Sequence, residues 1–142
     1  MGHLRYAVFY LLCGTAAALA QGFVDPHSEA PMIGASGAIS GVLGAYILLH
    51  PGAAVRVLFV IVFFIRIVSI PAVIVLGFWF LMQLFSAAVP SSGEAGVAFF
   101  AHIGGFLAGL VLVSLFKRRG IPVLERPRTK PFHVEHRRGP WG

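Results

Sequence analysis

The run Gly34-Ala35-Ser36-Gly37-Ala38-Ile39-Ser40-Gly41 opens an apolar segment that continues to His50. Gly37 and Gly41 lie one helical turn apart, and Ser40 and Gly44 form a second small pair. Small residues at that spacing let helix backbones approach closely in a bilayer, where packing drives association. A later stretch, Ala101-His102-Ile103-Gly104-Gly105-Phe106-Leu107-Ala108-Gly109, repeats the device: Gly105 and Gly109 are one turn apart and start three residues after His102. Close approach is what a short side chain such as serine needs to reach a partner on another helix. Ser36 is therefore the candidate nucleophile, and His102 the group brought to it.

Working outward, the 142 residues are 58% hydrophobic and only 11% charged. A soluble domain carries about 25% charged residues, so this chain has too little polar surface to face water and reads as an integral membrane protein. Its length allows one helix bundle and no second domain. The single cysteine, Cys13, lies in an apolar segment and forms no intrachain disulfide, so it does not report on the redox compartment.

The apolar segments predict four membrane-spanning helices, near residues 4–21, 33–50, 71–89 and 97–116. A span needs ~20 residues at ~1.5 Å rise each. Gly22 to Pro31 carries Asp25, Pro26, His27, Ser28 and Glu29 and reads as a loop, as does Pro90 to Gly96. Val57 to Ile65 is apolar but bracketed by Arg56 and Arg66. As a helix it is only ~14 Å long, so it reads as an interfacial or partly re-entrant segment whose arginines reach the headgroups. A tilted span with Arg66 inside would cost ~2.5–3.5 kcal/mol on insertion scales. Pro71 suits the first position of the third helix. The fold class expected is thus an all-α polytopic bundle with one interfacial segment. Residues 1–120 form the membrane core, and 121–142 form a basic, proline-containing cytoplasmic tail without apolar periodicity, read as disordered.

Charge gives the orientation. With four spans both termini share a side, and Arg5, Arg56, Arg66, Lys117, Arg118, Arg119 and the tail arginines with Lys130 all fall on it. The opposite loops carry Asp25, Glu29 and Glu94 and no Lys or Arg. Lysine and arginine are retained on the cytoplasmic side, so both termini are expected there, in a cell membrane. The net charge of +6 is then an orientation signal that also meets anionic lipid; binding of nucleic acid is not expected.

In this topology Ser36 and His102 lie at similar depths, within ~5–8 Å by helix rise and near the outer face. A serine hydroxyl is a weak nucleophile unless a base in hydrogen-bond reach takes its proton. Imidazole suits that role and can return the proton to a leaving amine. Ser36 is not in the elbow of soluble hydrolases, since the position two after it is Ala38. His3, His27, His50, His133 and His136 have no matching partner in a span, and no Cys or carboxylate cluster completes a metal site around His133 and His136. Each motif alone has a plainer reading: the small residues as a packing surface, the histidine as a hydrogen-bonding link between helices.

At these residues the sequence resembles the rhomboid intramembrane serine proteases. The match covers nearly all of Gly2 to Phe116 and rests on Gly34-x-Ser36-Gly37 opening one helix and on Ala101-His102-x-x-Gly105-x-x-x-Gly109 in a later one. The phrase from Gly37 to Tyr46 is also similar to bacterial members. The resemblance implies Ser36 as nucleophile and His102 as general base of a dyad with no acidic third member. It implies hydrolysis of a peptide bond in or near a substrate's transmembrane helix, with no metal, nucleotide or other cofactor.

The departures from the family pattern carry their own expectations. Rhomboid cores have six spans, with serine on the fourth and histidine on the sixth, so four spans here correspond to the last four. The His and Asn side chains of the second span, which help bind the oxyanion, have no counterpart, and Ser40 stands where some members place a tyrosine that stacks on the histidine. The chain is expected to be a C-terminal fragment that is a poor enzyme alone, with the backbone N–H of Ser36 as its remaining oxyanion donor and an N-terminal half as a missing partner. Two other readings are a proteolytically silent rhomboid-like protein that grips membrane helices and half of a dimeric transporter. No Asp or Glu lies inside any expected span to support the transporter.

Overall fold

The computed structural model describes residues 1–27, 35–61, 64–88, 98–118, 120–121 and 123–124. Its elements are α1 (His3–Val24), α2 (Ser36–Leu49), β1 (Ala54–Ile61), β2 (Phe64–Pro71), α3 (Ala72–Ala88) and α4 (Phe99–Phe116). The fold is predominantly helical. Two helices, α1 with 22 residues and α4 with 18, are long and apolar enough to cross a membrane. The apolar helices α2 and α3 are shorter, with 14 and 17 residues, or ~21 and ~26 Å of rise.

Three helices make the core. α1, α2 and α4 pack on one another, and α3 leans chiefly on α4. The positions facing inward are mostly small: Cys13, Ala17, Gly37, Ala38, Ser40, Gly41, Ala45, Ala101, Gly105 and Gly109 are all buried. Phe9, Phe106 and Val113 are buried with them, but many large apolar side chains point outward, among them Leu11, Leu19, Phe78, Phe85, Val111 and Leu115. In water that distribution would leave a very large apolar surface uncovered. Against lipid it is favourable, because lipid tails solvate leucine and phenylalanine while small residues let the backbones touch.

The touching is literal at α2 and α4. A Cβ placed on Gly105 would collide with the carbonyl oxygen of Gly37, and one on Gly109 with that of Gly41. Gly37 and Gly41 also receive Ala17 and Cys13 of α1, which stand 2.6 and 2.5 Å from where their Cβ atoms would be. Gly44 meets the backbone of Phe106 in the same way. The order of these contacts makes α2 and α4 parallel and α1 antiparallel to both.

Residues 54–61 and 64–71 depart from the all-α expectation. They form an antiparallel hairpin, with Ala54 opposite Pro71, Arg56 opposite Ser69 and Phe59 opposite Arg66. The physical reason is composition: Val55, Val57, Val60, Ile61, Ile65, Ile67, Val68 and Ile70 are β-branched, which lowers helix propensity and suits a pleated strand. The apolar run covers both faces of the hairpin, so no polar alternation marks it in the sequence. Pro71 is the last residue of β2 rather than the first of the helix. A strand end tolerates proline because no ladder donor is lost there. α3 starts directly after it, and the N–H groups of Ala72 and Val73 donate to the carbonyls of Ala53 and Pro51 at 2.8 and 2.9 Å. These bonds satisfy two of the donors that a helix start leaves free.

α1 runs to Val24, three residues past the expected span, so the loop opens at Asp25. The rest of that expected loop from Ser28, and the whole of the Pro90–Gly96 loop, lie outside the described residues, as does the tail from Glu125. The first residues counted with the tail stay on the bundle: Leu124 N–H donates to the Leu48 carbonyl at 3.0 Å, and Lys117 Nζ donates to the Ile121 carbonyl at 2.6 Å.

Candidate functional site

Ser36 is the first residue of α2, and Ala35 before it closes the first helical hydrogen bond by accepting from Ile39 N–H at 2.9 Å. The N–H groups of Ser36, Gly37 and Ala38 therefore have no acceptor within the helix. They sit at the positive end of its dipole, where negative charge is stabilised. The Ser36 side chain is exposed, and Ser40, one turn on and buried, donates its hydroxyl to the Ser36 carbonyl at 2.8 Å. That bond occupies the Ser40 hydroxyl and leaves the Ser36 hydroxyl free for other partners.

His102 is in the first turn of α4. Because α2 and α4 run parallel, their N-terminal ends lie at the same level, and the glycine contacts set the helix separation. The outcome is a 3.0 Å contact between His102 Nε2 and Ser36 Oγ. The residues singled out in the sequence as a reacting pair are brought together, across 66 positions of chain, and Gly37, Gly41, Gly105 and Gly109 form the interface beneath them.

Two residues of α3 complete the surroundings and were not singled out for the site. His102 Nδ1 lies 2.9 Å from Gln83 Oε1. One turn earlier on α3, the Trp79 ring lies 5.9 Å from the imidazole, tilted by 45°. Phe106, one turn after His102, meets Trp79 at 6.2 Å and stacks on Phe80 at 4.4 Å. The aromatic contact to the histidine thus comes from α3, while Ser40 stands one turn after the serine, where some family members have a tyrosine. A signal for Gln83 existed, since it is a polar side chain in the middle of an apolar helix.

A bundle of apolar helices with small residues turned inward, many large ones turned outward and a serine–histidine contact at one end defines a membrane protein with a polar site. Its family is given by comparison: a family model described as the Rhomboid domain matches residues 1–119, and the chain belongs to the rhomboid family. Neither the curated proteins nor the solved structures contain a match.

Proposed function

We propose that this chain is an intramembrane serine protease, in which Ser36 attacks a peptide bond in or near a substrate's transmembrane helix and His102 serves as general base. The observation that carries this reading is the 3.0 Å contact between Ser36 Oγ and His102 Nε2, made by an exposed hydroxyl at a helix start. In the proposed reaction His102 Nε2 takes the hydroxyl proton as Oγ bonds to the carbonyl carbon. The resulting oxyanion is met by the Ser36 N–H at the α2 terminus; one such donor is typically worth ~10²–10³ in rate. His102 then returns its proton to the departing amine. Water, deprotonated by the same imidazole, hydrolyses the acyl-enzyme and restores both groups.

The four apolar helices are proposed to be inserted together in a cell membrane, with both termini cytoplasmic, the hairpin at the cytoplasmic interface and residues 1–120 as the core. Residues 121–142 are proposed as a basic tail that meets anionic lipid. The partners are lipid and a helical protein substrate. In the family a further helix lends side chains to the oxyanion; that segment, from this polypeptide or another, is the additional partner proposed.

The test is labelling by a serine-directed fluorophosphonate in proteoliposomes, together with cleavage of a transmembrane-helix reporter. Label should go to Ser36 and disappear in Ser36→Ala. A folded, inserted chain that takes no label and cuts no reporter, even with the additional helices supplied, would leave the silent helix-gripping reading instead.

A further inference from the structure

We propose that Gln83 is a positioning residue that selects the His102 tautomer able to accept the Ser36 proton. This rests on the hydrolytic reading above. A neutral imidazole has one nitrogen that donates and one that accepts, and its partners decide which is which. The amide oxygen of Gln83 can only accept. At 2.9 Å from Nδ1 it requires the proton to be on Nδ1, so Nδ1–H donates to Gln83 Oε1. Nε2 is then the lone-pair nitrogen, 3.0 Å from Ser36 Oγ, and the serine hydroxyl donates to it. Without the amide oxygen, nothing in this geometry favours Nδ1–H. With the proton on Nε2 the imidazole would donate to the serine oxygen, and a base whose reactive nitrogen already carries a proton takes no other.

Three features hold Gln83 to this task. It lies one turn after Trp79 on α3, so both side chains project from one face onto the imidazole. The Phe80–Phe106 stack at 4.4 Å fixes α3 against α4 one turn from His102. The histidine is half-buried, so water competes poorly with the amide for Nδ1. A carboxylate would orient the ring equally well, but a charged group on a membrane helix carries an insertion cost. The amide supplies orientation without that charge.

Two measurements on the full chain in lipid test the assignment. The first is the ¹⁵N spectrum of histidine-labelled protein, with the His102 signals identified by their loss in His102→Ala. Wild type should show Nδ1–H with unprotonated Nε2, and Gln83→Met should shift His102 toward Nε2–H. A wild-type His102 protonated on Nε2, or a Met variant with unchanged tautomer, overturns the proposal whether or not the chain is active. The second is fluorophosphonate labelling of Ser36. Gln83→Met, which keeps the side chain's length and loses the acceptor, should slow labelling by about 10²-fold, the scale on which a mispositioned base is felt. Gln83→Glu, which restores an acceptor oxygen, should recover most of that loss. For reporter cleavage the loss should fall on kcat with KM unchanged. Equal labelling of wild type and Gln83→Met would remove Gln83 and leave the Ser36 reading intact. Absence of label on wild type would strike the hydrolytic reading and leave the spectrum to decide the tautomer.

Discussion

Gly109→Ala places one methyl group where α4 meets α2 most closely. The added Cβ would stand 2.5 Å from the carbonyl carbon of Gly41 and 2.6 Å from its Cα, besides overlapping the carbonyl oxygen. Ordinary contact starts near 3.4 Å, so the carbonyl oxygen, the nearest atom, makes the backbones part by about 1.5 Å at that level. Backbone atoms cannot turn aside as a flexible side chain can. Overpacking of this kind costs ~1–3 kcal/mol, and alanine's better helix propensity returns ~0.5–1 kcal/mol, leaving a net loss of up to about 2.5 kcal/mol, toward the upper end because the clash is with backbone. The same displacement, carried along two turns of α4, stretches the 3.0 Å Ser36–His102 contact; a misplacement near 1 Å costs on the order of 10²-fold in rate. Gly77→Ala is the control, because nothing lies within 4 Å of its Cβ position; it should be neutral or slightly stabilising. The assay is the unfolding midpoint in detergent micelles, paired with the rate of fluorophosphonate labelling at Ser36. If Gly109→Ala is as stable and as quickly labelled as Gly77→Ala, then the glycine contacts neither set the helix spacing nor position the site.

Four further outcomes are expected. Ser36→Ala and His102→Ala should each abolish cleavage of a transmembrane reporter, and the double variant should be no worse, because groups acting as one unit lose function non-additively; residual cleavage in Ser36→Ala would end the assignment. Asp25→Asn, Glu29→Gln and Glu94→Gln should each change activity little, whereas a large loss in one of them would make a carboxylate part of the unit. A cysteine at position 28 should react with an impermeant thiol reagent added outside and one at 125 should not, with buried Cys13 silent; the reverse pattern would invert the topology. In a background with Trp79 and Trp141 replaced by Phe, Leu58→Trp should emit at short wavelength and be quenched by brominated lipid, since Leu58 is 57% exposed on an apolar hairpin; water-like emission would place the hairpin off the membrane.

How much of this was readable from the sequence follows from what each residue type can signal. The helices were legible because apolar length is the dominant signal in a membrane chain, and the structure moves their ends by only a few residues. The closeness of α2 and α4 was legible because only glycine at i, i+4 permits backbone contact, and both helices carry such a pair. The hairpin was not. By length Val57 to Ile65 is only a helix too short to span, and an apolar strand that lacks polar alternation gives no period to read; its β-branched content is the one signal it carries for a strand. Gln83 carries no such signal of its partner, which is 19 positions away, and only the antiparallel packing of α3 on α4 brings the two to one level. The contact between Trp79 and His102 depends on that same packing.

The polar contacts also bear on the two uses open to His102, as the proposed base or as a tie between helices. Among the described residues, the side-chain hydrogen bonds that join different helices are the two on this imidazole, to Ser36 and to Gln83. Those of Thr15 and Ser40 return to a carbonyl one turn back in the same helix. A histidine kept only to tie helices together would gain little, since an interhelical hydrogen bond in a membrane averages ~0.6 kcal/mol. The bundle is already held by glycine contacts that need no polar atom. A tie would also be best placed in the buried middle of the bundle, yet Ser36 is exposed at a helix start, where a hydroxyl contributes least to packing and is most open to a substrate. His102→Ala should therefore lower stability by only about 1 kcal/mol while removing all Ser36 reactivity. A loss of folding as large as the loss of labelling would mean that the imidazole is holding the helices after all.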